Sequence, residues 1–168
     1  MIRSRGFTLI EMLVYTAIIA GVFALVLSGM IGLYQASRSA RLSRTVNVSA
    51  VTALERVSRE IRDSESVVVT SSTLGTSPGV LTITTDNASA AGGSYEFSLA
   101  DSQLQIEDSA GAEVLTSSEV EVTELVFWHS VSANGEAVRV KLTARAVSSS
   151  TVPSRTYYST VVLRESYE

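Results

Sequence analysis

At 168 residues and a net charge of −4, the chain is one domain's worth of sequence, or one domain with a tail. It contains no cysteine, which excludes disulfides, thiolate metal centres and cysteine nucleophiles. The mildly acidic balance argues against a general nucleic-acid binder, and no specific nucleic-acid partner is predicted.

The chain opens with RSRGFTLIEMLVYTAIIAGVF over residues 3–23, in which an apolar run begins at Phe7. Arg3 and Arg5 precede the run, Glu11 lies inside it, and residues 12–37 carry no charge. As a helix, that uncharged stretch is roughly 39 Å long at ~1.5 Å per residue. A bilayer core needs about 20 apolar residues, so the stretch is long enough to cross. Residues 18–27 are apolar all round, with no polar face to turn to water. The leading arginines favour a cytoplasmic N-terminus, and no second span follows. Everything after about Tyr34 is then expected across the membrane. An ordinary secretory signal has a shorter apolar region followed by a small-residue cleavage site. Here the choices after the run, such as YQASRSA over 34–40, are poor. Gly6, followed directly by Phe7, stands before the run instead.

The words RGFTLIE, from Arg5 to Glu11, resemble the class III signal of type IV pilins and type II secretion pseudopilins. The resemblance rests on a short basic leader, MIRSRG, then Phe7, an apolar helix, and an acid as fifth residue of the mature chain. It implies cleavage between Gly6 and Phe7 by a prepilin peptidase, then methylation of the Phe7 amine. It also implies partners: other pilin or pseudopilin subunits, an inner-membrane assembly platform and membrane lipid. No cofactor is implied. An intramembrane carboxylate costs about 2.5–3.5 kcal/mol at a helix centre and less near an end, so such groups are usually paired and functional. Glu11 is one helical turn from Phe7 and can pair with that amine within its own chain. In a bundle of such helices, the family implies that Glu11 meets the Phe7 amine of a neighbouring subunit and sets axial register. The plainer alternative is a boundary glutamate snorkelling to headgroups.

Gly21, Gly29 and Gly32 lie inside the apolar helix, and Ser28 with Gly32 forms a small-xxx-small pair that lets backbones approach. Gly21 is the place where the helix is expected to loosen, if it loosens during assembly. Arg38, Arg41 and Arg44 follow at three-residue spacing. They suit anionic headgroups, acidic patches on neighbours, or a solvated collar equally well. Beyond them Val46, Ala50, Leu54, Val57 and Ile61 form one helical stripe. Three opposite-charge pairs at i,i+4 lie on the other faces: Glu55 with Arg59, Arg56 with Glu60, Arg59 with Asp63.

After Asp63 the pattern turns to strands. Residues 67–70, 80–85, 95–99, 103–107, 120–130, 138–147 and 156–164 are predicted to be extended. Residues 100–102 make a hairpin-like gap, and Asn134 with Gly135 makes a turn. Residues 71–79 and 86–93 read as loops. In 138–147, Val138, Val140 and Leu142 alternate with Arg139, Lys141 and Thr143, which predicts a half-buried strand with a basic outer face.

No catalytic constellation is evident, and the chain reads as a non-enzyme. His129 is the only histidine and reads as structural, with no carboxylates at ligand spacing. No G-x-S-x-G is present. Glu119, Glu121 and Glu124 read as one strand's wet side. Asp86 and Asn87 are a turn before they are a calcium loop, and no metal site is predicted. Arg139, Lys141 and Arg145 read as a solvated face, and Trp128 as core.

The expected architecture is α+β: a long N-terminal helix, transmembrane in its first half and amphipathic in its second, packed on an antiparallel β-sheet, pilin-like. Expected divisions are a leader over 1–6, a transmembrane and assembly helix over 7–37, and an extracytoplasmic globular domain over 38–168, with helix to about 63. In pattern, residues 53–69, the strand with LVFWHS, and the following VRVKLTARA look like J-type minor pseudopilins and W-type minor pilins. The expected function is a filament subunit with a priming or tip role. The alternative is a membrane-anchored β-domain that binds a ligand and never polymerises.

Overall fold

The computed structural model describes residues 8–86, 93–132, 135–148 and 152–164. The chain divides into two compact units, Met1–Ala40 and Arg41–Glu168. A single helix, α1 (Leu9–Arg62), supplies the first unit and opens the second.

In the first unit α1 is apolar and bare. Leu9, Leu25 and Leu33 are 85%, 74% and 74% exposed. Two of its polar side chains bond to their own helix. The Thr16 hydroxyl donates to the Met12 carbonyl, and the Ser28 hydroxyl donates to the Leu25 carbonyl at 2.9 Å. Such back-bonding hides the hydroxyls from an apolar surrounding. The helix is long and apolar enough to cross a membrane.

In the second unit α1 becomes one-sided. Val46, Ala50, Leu54, Val57 and Ile61 are buried as the stripe predicts, and Ala53 joins them. Of the three i,i+4 pairs in the sequence, only Arg56–Glu60 closes as an ion pair among the described residues, at 3.2 Å.

The strands form two sheets where the sequence predicts one. The first is β1 (Ser66–Val67), β2 (Leu81–Thr84), β3 (Ser94–Ala100), β4 (Gln103–Asp108) and β5 (Gly111–Val114), in that spatial order. The second is β6 (Val120–Ser132), β7 (Gly135–Ala146) and β8 (Arg155–Val162), again in order. Every pairing is antiparallel. The main core joins α1 to both sheets through Val57, Ile61, Ile83, Phe97, Phe127 and Leu142, all fully buried.

Four details depart from the sequence reading. The strand expected over 67–70 shrinks to Ser66–Val67, because the chain turns into a 3-10 segment at Val69–Ser71. The Ser72 hydroxyl fixes that turn by donating to the Val68 carbonyl at 2.8 Å and accepting from the Thr82 N–H at 3.0 Å. A strand absent from the reading, β5, forms because Asp108 accepts from the Ala110 and Gly111 N–H groups and turns the chain back along β4. The β3–β4 hairpin tightens to two turn residues, Asp101 and Ser102, both at positive φ as a primed turn requires. Gly135 opens β7, while Asn134 lies outside the described residues.

The free edge of β6 is closed by the loop before β2. Gly75 and Gly79 donate their N–H groups to Phe127 and Leu125 carbonyls, each at 2.8 Å. A Cβ on Gly79 would stand 3.0 Å from the Leu125 carbonyl and 3.1 Å from the Phe127 ring, so any larger residue would press on this contact.

Candidate assembly site and outer face

The N-terminal residues were expected to carry the chemistry. Gly6 and Phe7 lie outside the described residues, and the described helix begins at Leu9 rather than at 7. Thr8 explains that start. Its carbonyl accepts from the Met12 N–H at 3.2 Å, and its hydroxyl oxygen accepts from the Glu11 N–H at 3.4 Å. Thr8-Leu9-Ile10-Glu11 is thus a T-x-x-E capping sequence, a signal that was legible in the chain and was read only as part of a longer motif. Glu11 occupies the first turn, where the partial positive charge of the helix end favours a carboxylate. A place in the first turn therefore eases the cost of an acid at the start of an apolar helix, before any neighbour is considered.

Gly21, Gly29 and Gly32 sit on the same bare segment, and α1 runs through all three unbroken. A Cβ added at any of them meets nothing within 4 Å. Nothing within this chain therefore requires glycine at these positions.

In the second unit the predicted wet faces resolve into pairs. Glu121 and Glu124 share the outer face of β6 although they are three apart, because a bulge between Val122 and Glu124 resets the alternation. Glu121 accepts from Arg145 at 2.9 and 3.0 Å, and Glu124 accepts from Lys141 at 2.6 Å. Glu119 lies just before β6, its N–H donating to the Ser117 hydroxyl. The basic stripe is therefore mostly neutralised by its own sheet. The remaining cation, Arg139, lies 5.7 Å from the ring centre of Trp128 and 5.1 Å from that of Tyr158. Trp128 is thus not core: it is 38% exposed on the outer face. His129 points inward, and its Nε2 lies 3.0 Å from Glu136 Oε2. Asp86 is exposed and Asn87 lies outside the described residues; among the described residues no group of three acids or histidines gathers as a metal site.

Hydrogen bonds from Lys141 and Thr143 hold the Glu124 carboxyl below its ordinary value, and Glu124 in turn raises Lys141. A lowered carboxylate contributes stability above its unfolded value and loses it as pH falls through the folded one. A raised lysine contributes below its unfolded value and loses it as pH rises through the folded one. Lys141→Met should therefore flatten the fall in melting temperature below about pH 4.5, the ordinary glutamate value. An acid limb identical to that of the unaltered chain would show that this pair adds nothing.

Against known proteins, the model of the prokaryotic N-terminal methylation motif matches residues 1–33. No curated protein and no solved structure matches the chain. The motif coincides with the expected leader, with Glu11 and with most of the bare apolar segment of α1. The match marks a class III prepilin signal of the kind that type IV pilins and pseudopilins carry, and the helix-on-sheet architecture that follows it is consistent with a pilin fold.

Proposed function

We propose that the protein is a minor pilin or pseudopilin, a structural subunit that primes or tips an extracytoplasmic filament. The observation that carries this reading is the methylation motif over residues 1–33. In this reading residues 1–6 are a leader, which a prepilin peptidase removes between Gly6 and Phe7. The Phe7 amine is then methylated. Residues 7–37 hold the subunit in the inner membrane with its N-terminus cytoplasmic, and later join a bundle of like helices on the assembly platform. Residues 38–168 form the extracytoplasmic domain. The role is architectural rather than enzymatic. The minor, J- or W-like assignment is supported by the order of strands and words after residue 53, and by an acid at position 11, which K-type minor pseudopilins lack.

Glu11 has two claims on it. As a first-turn residue it stabilises the helix start. In the bundle it would attract the cationic Phe7 amine of a neighbour, and one buried charge that needs a partner fixes register. Glu11→Gln separates the two, because glutamine still suits the third position of a capping sequence but carries no charge. The variant should be cleaved, inserted and folded as before. Its co-purification with other pilin-like subunits should fall roughly tenfold or more, the equivalent of a charge-assisted hydrogen bond of about 1.5–3 kcal/mol. Undiminished association would remove the register role and leave Glu11 as a first-turn acid that snorkels to the membrane boundary.

A further inference from the structure

Two sheets have four outer edges, and proteins normally blunt such edges because unpaired backbone groups recruit other strands. The β6 edge is closed in its middle, at Leu125 and Phe127, by the Gly75 and Gly79 bonds described above. The β1 edge is two residues long and its Val67 N–H donates to the Glu136 carboxylate. That leaves β8, eight residues, and β5, four residues.

β8 has few of the usual protections: Arg155 at its start is its one charge, and one α1 side chain, Ser58, bonds to it through the Ser159 hydroxyl at 2.8 Å. Its pairing with β7 runs without a bulge from Ala144↔Arg155 to Ala137↔Val162. It contains no proline and no lysine. The Leu163 N–H donates to the Glu136 carbonyl, and the Arg164 N–H donates the other way, to the Arg62 carbonyl of α1. In an antiparallel ladder this alternation continues along the strand, so Thr156, Tyr158, Thr160 and Val162 turn their backbone groups away from β7. Among the described residues those groups meet no backbone partner. Beside them runs a groove of about 770 Å³ between β8 and α1, whose helix wall includes Leu54, Ser58, Arg59 and Arg62. Tyr157 lines it too, with a buried hydroxyl that has no partner among the described residues.

The two open edges differ in charge. Arg59 and Arg62 line the β8 groove and Arg155 starts the strand; Glu55 is the one carboxylate in the lining. None of the three arginines has an ion-pair partner among the described residues. All four residues of β5 are exposed. Glu113 is on it, and Glu107 stands opposite its Ala112. Glu107 also faces Glu96 across β3 and β4, a like-charge pair that stays unfavourable unless a cation comes near. Arg56 lines the cavity beside β5 but is already paired with Glu60.

We infer that β5 of one copy of this chain adds as a strand to β8 of the next copy. The β8–β8 alternative brings arginine against arginine, and β5–β5 brings acid against acid. The contact is heterologous, so each copy that uses one edge keeps the other for the next copy. Four residues of ladder make a weak contact in dilute solution. Subunits held side by side by their apolar helices meet at high effective concentration, and there a weak edge contact suffices. Only this last step rests on the function proposed above.

The test uses the full chain in membranes. Because the chain has no cysteine, introduced pairs report unambiguously. Thr156→Cys or Thr160→Cys in one tagged copy is co-expressed with Ala112→Cys or Val114→Cys in a second, differently tagged copy, then oxidised. At least one mixed pair should give fivefold more disulfide-linked dimer than either single-cysteine copy gives with itself. Arg59→Glu with Arg62→Glu should lower that yield at least fivefold. Glu107→Arg with Glu113→Arg in the partner copy should restore it, which also shows that the reversed copy still folds. The inference fails if no mixed pair links, if self-linked dimers equal the mixed ones, if the Thr160→Cys copy links to a different protein, or if charge reversal changes nothing. The N-terminus is determined on the same sample. A processed chain without cross-links overturns only the edge contact, whereas cross-links in an unprocessed chain support the contact and overturn the proposed function.

Discussion

Val57→Asp is expected to abolish cooperative folding of the Arg41–Glu168 unit. Val57 is fully buried in the core that joins α1 to both sheets. The substitution removes apolar burial worth about 1.5–3 kcal/mol. It also sets a carboxylate in a core whose buried members, among the described residues, are all hydrophobic. An uncompensated buried charge costs about 3–5 kcal/mol. The two terms together rival the whole stability of a domain this size, about 5–15 kcal/mol. Val57 is a sharper choice than Leu54, which lines the β8 groove and leaves an introduced charge a way to water. Near-ultraviolet circular dichroism and the fluorescence of Trp128, the single tryptophan, would both lose their transition on heating. A melt like that of the unaltered unit would show that this stripe does not face the sheets.

Gly6→Leu should have the second large effect, on processing and not on folding. Peptidase recognition is expected to need the small residue before Phe7, so the leader should stay attached. The variant should remain in the inner membrane at near-normal levels, with its second unit folded, and should be missing from sheared filaments or from subunit complexes. Immunoblotting of membrane and sheared fractions separates these outcomes. A Gly6→Leu chain that is shortened and exported like the original would place the cleavage elsewhere.

The parts legible in the sequence were those written in periodicity. Val46, Ala50, Leu54, Val57 and Ile61 recur at helical spacing, and a helix buries what recurs at that spacing. The bare first part of α1 was equally plain, since an apolar run without a polar face has nowhere to hide in one small domain. Partner choice among strands was not legible. The stretches 120–130 and 138–147 read as strands and fold as Val120–Ser132 and Gly135–Ala146, but nothing in their alternation says that they leave the first sheet and build a second. Glu121 and Glu124 share a face only through the bulge between Val122 and Glu124, which alternation alone does not reveal. β5 was invisible because GAEV has no buried side and owes its place to the Asp108 turn. Trp128 was misjudged as core because an aromatic beside Phe127 looks apolar on both faces, whereas successive strand residues must point opposite ways. At the candidate site, Thr8 was the residue overlooked. The motif drew attention to Glu11 as an acid in the wrong place, while Thr8 three residues earlier marks the helix start whose first turn favours an acid.

The central claim is that the mature protein is a processed, pilin-like subunit, and the mass of its N-terminal peptide tests it most directly. From cells with an active prepilin peptidase, digestion and mass spectrometry of the membrane-extracted chain should yield a peptide that begins at Phe7 and is heavier by one methyl group, with residues 1–6 gone. A chain that keeps Met1 through Gly6 in the same cells, or that is cut after residues 34–40 instead, would contradict the account.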